Sequence, residues 1–140
     1  MPEPRIDWTT PAVISAGGVL GSLARHGLSV AFPHQAGRFD WAIFAVNTAG
    51  CLLIGVLMVL ITEVWEVHRL VRPFLGIGVL GGFTTFSAYV VGIQQDLAAG
   101  APHTALAYLA GTCAAALAAV HAGVHATRLV AVPHPRKEPP

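Results

Sequence analysis

One apolar run in this chain interrupts itself. From Pro73 to Ile93 the residues are hydrophobic enough, over a long enough stretch, to cross a bilayer as a helix, yet the centre reads Gly81-Gly82-Phe83-Thr84-Thr85-Phe86-Ser87-Ala88-Tyr89. Glycine weakens a helix through backbone entropy, and threonine through restricted χ1 freedom. A helix interrupted inside lipid strands backbone carbonyls, which is tolerated only where protein, water or an ion supplies partners. Broken helices at mid-membrane depth are a recurring way of building ion sites. Beyond the break, Phe86 and Tyr89 lie three residues apart on one helix face. A carbonyl site beside an aromatic pair points to ion handling.

The rest of the chain supplies the setting. Charged residues make up only 11% of it, whereas a soluble domain carries about 25%; mean hydropathy is +0.64. Four apolar segments, Pro11–Ala31, Trp41–Thr62, Pro73–Ile93 and Thr104–Ala126, each approach the ~20 residues that a span needs. Short polar connections join them, and Trp8, Trp41 and Trp65 fall at segment ends, where an aromatic belt places them. These features predict an all-α membrane protein of four transmembrane helices, one domain over residues 1–132, and a disordered tail from Pro133. The first apolar run lacks a short core ending in a cleavage motif and reads as a retained helix. A net charge of +1 without a basic stripe argues against nucleic acid as a partner.

Four crossings put both termini on one side with Arg5, Arg69, Arg72, Arg128, Arg136 and Lys137, against Arg38 and Arg25 opposite. The positive-inside rule turns that side to the cytoplasm. Gly17 with Gly21 and Gly78 with Gly82 make two G-x-x-x-G pairs, spacing that lets helices approach closely in lipid. Four helices do not easily enclose a hydrated pore, so two subunits are expected to pair.

Polar groups inside the spans are few. Arg25 either attracts an anion from a water-filled vestibule or serves a subunit contact. Asn47 offers two donors and an acceptor, for an interhelical hydrogen bond or for an anion. The positive edges of the Phe86 and Tyr89 rings can solvate an anion weakly. Thr85 and Ser87 flank Phe86, and Tyr108 and Thr112 share a face at i, i+4, together a line of hydroxyls able to replace water around a small ion. Catalysis has little to work with: no Ser/His/Asp set and no paired intramembrane carboxylates occur. His121 and His125, four apart, lack an acidic or thiol partner and read as interfacial, while Cys51 and Cys113 read as packing residues.

At this point the chain resembles the Fluc (CrcB) family of fluoride ion channels. The resemblance rests on Gly21-Ser22-Leu23-Ala24-Arg25, Asn47-Thr48-Ala49-Gly50, Gly81-Gly82-Phe83-Thr84-Thr85-Phe86-Ser87 and a Tyr108-bearing fourth segment, and covers roughly Ala12 to Thr127. It implies a dual-topology dimer, two subunits inserted in opposite senses with two fluoride pores between them, in the cytoplasmic membrane. It implies one structural, untransported sodium ion, held by the carbonyls of Gly81 and Thr84 from both subunits. Asn47 and Phe86 match the family's fluoride-coordinating residues, Tyr108 and Thr112 its polar track, and Arg25 its vestibule arginine. Two positions depart from the pattern: Tyr89 stands where the family usually has a second phenylalanine, and Ala88 where it has threonine. The excess of basic residues on one side leaves open a homodimer or a heterodimer with a homologue of opposite orientation.

The expected activity is therefore passive, fluoride-selective export that lowers fluoride toxicity. A four-helix proton-coupled drug exporter is the alternative in another class, but it needs a membrane-embedded carboxylate, and Glu63 and Asp96 lie at segment ends. A non-conducting partner subunit is the third.

Overall fold

The computed structural model describes residues 7–131; the tail expected to be disordered lies outside the described residues. Those residues are helical or in short connections, with no strand among them. In chain order the helices are α1 (Thr9–Ala31), α2 (Trp41–Val59), α3 (Gly81–Phe83, a single turn), α4 (Ser87–Ala98) and α5 (Pro102–Ala131). A π-helical turn, Leu60–Val64, prolongs α2, and a π-helical run, Arg72–Leu80, leads into α3.

Local chemistry explains the ends. The Asp40 side chain accepts from the Ile43 N–H at 3.0 Å and so caps α2. After α4, Gly100 turns to a φ of 73°, while the Gly100 and Ala101 N–H groups reach back to the Leu97 and Asp96 carbonyls. That is the left-handed helix stop for which glycine is favoured.

Three stretches are long and apolar enough to cross a membrane: Trp41–Val64, Arg72–Ala98 and Pro102–Ala131, with mean hydropathies of 2.4, 1.7 and 1.6. At 23 residues α1 is long enough, but Ser15, Ser22, Arg25, His26 and Ser29 make it less apolar. Large side chains such as Leu23, Leu106, Leu117 and Leu129 stand exposed. A surface of that kind belongs in lipid, and the chain is a multi-pass membrane protein.

Glycines set the packing. α1 lies along the Arg72–Leu80 run so closely that a Cβ on Gly17 would sit 2.5 Å from the Phe74 carbonyl oxygen and 3.0 Å from Gly78 Cα. α2 and α5 meet in the same way, where a Cβ on Gly55 would come within 2.5 Å of the Val120 carbonyl oxygen. The two G-x-x-x-G pairs thus face each other across one helix contact, backbone against backbone.

Two exposed ion pairs tie the ends of the bundle: Arg69 to Asp7 at 3.0 Å and Arg128 to Glu63 at 2.7 Å. Hydrogen bonds from Thr9, then from Arg69, hold the Asp7 carboxyl down at about 2. A lowered carboxyl contributes stability above its unfolded value of about 3.9 and loses it as pH falls toward the folded value. The small cost expected of Asp7→Asn at neutral pH should therefore vanish as pH falls from about 4 to about 2, read as the thermal midpoint in detergent.

Candidate functional site

The site forms where helical hydrogen bonding lapses between α3 and α4. Thr84 turns to an extended conformation, φ −75° and ψ 155°, and residues 84–86 belong to no helix. Thr84 ends α3 with both its N–H and its Oγ1 donating to the Leu80 carbonyl at 2.9 Å. Thr85 starts α4 by accepting the Ala88 N–H at 3.2 Å on its hydroxyl, the service an N-cap residue performs.

Asn47 holds the gap open from α2. Its Oδ1 accepts from the Thr85 N–H at 2.9 Å and its Nδ2 donates to the Thr85 carbonyl at 3.0 Å. One amide thus meets both backbone groups of one residue, as a neighbouring strand would. An asparagine amide carries two N–H donors, so one is left over after Thr85 is served.

On the other side, the Gly82 carbonyl accepts from Arg25 Nε at 3.2 Å and from Ser22 Oγ at 3.4 Å, both on α1. Among the described residues the carbonyls of Gly81 and Thr84 meet no donor. Both residues line a groove of about 550 Å3 beside the break.

That groove gathers most of the residues singled out from the sequence. Asn47, Thr85, Phe86, Tyr89 and Thr112 line it together with Gly81 and Thr84. Phe86 is 77% exposed, its ring centroid 5.9 Å from that of Tyr89 at an interplanar angle of 53°. The Tyr89 hydroxyl finds its partner in the Leu109 carbonyl at 2.6 Å, so the extra oxygen is satisfied on the protein side. Thr112 is buried with its hydroxyl unpartnered.

Three expected residues lie elsewhere. Tyr108 is fully buried behind Tyr89, wedged between it and Phe39 at centroid distances of 5.2 and 5.1 Å, and its hydroxyl has no partner. Ser87 is exposed off the groove, its Oγ 3.2 Å from the Thr85 hydroxyl. Arg25 lies on α1 against Gly82, not on the groove.

Other polar groups take positions that the sequence did not indicate. Asp96 is completely buried at the end of α4, accepting from Gly37 N–H at 2.9 Å with His34 Nε2 at 3.5 Å. Its position near a segment end gave no sign that the Phe32–Asp40 connection folds back over it. Cys51 and Cys113 both line the groove, where apolar segments alone suggested packing. His121 turns its Nδ1 to the Leu117 carbonyl at 2.7 Å, and no group of three His, Cys, Asp or Glu gathers among the described residues.

Taken chemically, the groove gathers residues that carry two unpartnered carbonyls, a spare amide N–H, an unpartnered hydroxyl and two aromatic rings. Hard oxygens suit a hard cation; N–H, O–H and ring edges suit an anion.

Comparison with known proteins gives the same direction. The family model described as CrcB-like protein, Camphor Resistance (CrcB), matches residues 12–124. A protein of Streptomyces avermitilis named Fluoride-specific ion channel FluC 2 is 58% identical over 101 residues, 72% of this chain and 64% of that protein. The match therefore spans just under two thirds of that relative. The FluC 2 of Nocardia farcinica is 53% identical over 125 residues, 89% of each chain, and the FluC 1 of Streptomyces coelicolor 52% over 130 residues, 90% of this chain and 84% of that one.

Proposed function

The chain belongs to the CrcB-like family, and from that premise we propose that it is a fluoride-selective channel exporting the anion passively across the cytoplasmic membrane. The observation that carries the proposal is the groove beside the 84–86 break, with Asn47, Phe86, Tyr89 and Thr112 on one wall system. α1 makes the fourth crossing, and the break lies at mid-bilayer depth, with residues 1–132 as one domain.

A groove open along its length conducts nothing selectively until it is covered. The cover is a second chain inserted in the opposite sense, so that two grooves become two pores. Relatives named FluC 2 and FluC 3 occur together in Streptomyces avermitilis, so the second chain is either another copy or a homologue. A C-terminal reporter decides between them: signal on both faces of the membrane means a homodimer, and signal on one face means a fixed-orientation partner.

Fluoride is small and strongly hydrated, so a selective path must replace its water closely. The spare Asn47 N–H and the Thr112 hydroxyl donate at two points, and the Phe86 and Tyr89 ring edges bridge between them. The Tyr108 hydroxyl extends the track behind Tyr89, and the Thr85 and Ser87 hydroxyls extend it beside the break. Selectivity against larger anions then comes from a covered path narrow enough to keep the donors at hydrogen-bond distance from fluoride. Moving one charge down a potential of 100 mV is worth about 2.3 kcal/mol, enough to drive export without another energy source. Fluoride that entered as the neutral acid and ionised inside leaves by this route.

The backbone at the break fits a structural sodium ion. The carbonyls of the groove residues Gly81 and Thr84 meet no protein donor, and two oxygens are too few for one chain to hold the ion alone. Matching carbonyls from the second chain complete the set, which ties the ion to assembly and not to permeation. When bound, the ion supplies charge compensation for stranded carbonyls and nothing to the transported species.

Fluoride efflux from proteoliposomes containing this chain alone tests the reading. Efflux that ceases with Phe86→Ile, with chloride efflux absent throughout, is the expected result; no efflux from a folded, reconstituted protein removes the proposal of a self-sufficient channel. Tyr89→Phe should keep efflux within a few-fold and cost at most about 1 kcal/mol, since Leu109 loses only a supplementary donor. Thermal midpoint and efflux on the same preparation measure both.

A further inference from the structure

We infer that Arg25 and Ser22 of α1 are positioning residues that sort the carbonyls of the break and thereby create the cation site. The inference rests on the channel reading and its structural sodium ion.

The break strands a run of carbonyls that are chemically alike, and something must decide which of them face the groove. The Gly82 carbonyl lies in sequence between those of Gly81 and Thr84. Left free, it has two ways to spoil the site. It can recapture the Phe86 N–H at i+4 and restore a continuous helix, or turn into the groove and crowd the other two oxygens. The structure withdraws it to the opposite side, where Arg25 Nε and Ser22 Oγ both donate to it at 3.2 and 3.4 Å.

The arrangement is built along one stripe of α1. Gly18, Ser22 and Arg25 recur at i, i+4 and i+7, one face of a helix. Gly82 lets the two helices touch: a Cβ on it would overlap the Gly18 carbonyl oxygen, whereas one on Gly18 would meet nothing within 4 Å. Ser22 and Arg25, one and two turns on, then supply the donors. A guanidinium donor makes a stronger bond than a neutral one, and in a low-dielectric interior it holds its acceptor firmly. On the far side Asn47 holds Thr85 from α2. With the Gly82 carbonyl held by α1 and the Thr85 carbonyl held by Asn47, the groove residues at the break whose carbonyls keep no protein donor are Gly81 and Thr84. Arg25 therefore acts on sodium through Gly82 and touches neither ion.

The test measures thermal unfolding of the purified full-length chain in detergent over a sodium series, with choline keeping ionic strength constant. The wild type should be stabilised by sodium. Arg25→Gln should need at least tenfold more sodium for half of that stabilisation, Arg25→Lys an intermediate amount, and Ser22→Ala about threefold more. A purely structural arginine would lower the midpoint equally at every sodium concentration and leave the half-maximal concentration unchanged; that result overturns the inference. If Arg25→Gln does not fold, Arg25→Lys and Ser22→Ala carry the same readout. If the wild type ignores sodium, the cation site and this inference fall together, while its fluoride efflux in liposomes still decides the channel reading independently.

Discussion

Replacing Asn47 by alanine is expected to abolish fluoride efflux, a loss of at least about a hundredfold, while leaving a helical, monodisperse protein. Two losses combine. The Thr85 N–H and carbonyl, which now bond the Asn47 amide at 2.9 and 3.0 Å, are left without partners in a part-buried position. Each orphaned backbone group costs about 1–3 kcal/mol, so the break either collapses into a continuous helix or wanders. The groove also loses the amide N–H that is free to meet the anion. A hundredfold corresponds to about 2.7 kcal/mol, within the range of those two effects. Asn47→Asp should be no better, because an ionised carboxylate offers no donor to the Thr85 carbonyl and repels fluoride. Efflux followed with a fluoride electrode, beside circular dichroism and gel filtration, gives the answer. A folded Asn47→Ala protein with wild-type efflux would remove Asn47 from the pathway and from the lock on the break.

The largest expected effect on stability comes from Gly21→Val. A Cβ at Gly21 would overlap the Val79 carbonyl oxygen and stand 2.7 Å from the Phe83 N. Both neighbours are backbone, so neither can swing aside, and α1 must separate from the helix that carries the break. Overpacking costs about 1–3 kcal/mol where side chains can adjust, and a backbone clash belongs at or above the upper end. The loss should appear as aggregation or a thermal midpoint lowered by many degrees. Gly27→Ala on the same helix is the control: nothing lies within 4 Å of its added Cβ. There the better helix propensity of alanine should stabilise by up to about 1 kcal/mol. Equal behaviour of the two variants would mean that α1 does not pack as described.

Much of the architecture was legible before any coordinate. Segments read as Trp41–Thr62 and Thr104–Ala126 correspond to spans at Trp41–Val64 and Pro102–Ala131, because composition and length announce a lipid-facing helix directly. The ring pair was legible from spacing, since Phe86 and Tyr89 sit three apart, although Phe86 stands just before the first turn of α4 and only Tyr89 within it. Arg25 was not. A lone charge in an apolar segment says only that some partner must exist, and here it is a carbonyl on another helix, 57 positions away. Tyr108 does share a buried face of α5 with Thr112, but what covers it was not legible: it packs behind Tyr89, where Phe39 from the Phe32–Asp40 connection closes over it. Asp96 was legible only as a residue at a segment end; its burial comes from that connection folding onto it.

Hydrophobic length and the Gly-Gly-Phe-Thr-Thr-Phe stretch were sufficient by themselves to make this an all-helical membrane chain with a weak point in one span, because apolar burial and backbone propensity act locally. Which stranded carbonyl finds a donor and which is left to the groove was decided only by the tertiary structure. Hydrogen bonds at about 3 Å join α1 and α2 to residues 38 to 60 positions away, and no local pattern encodes which side chain from another helix will arrive.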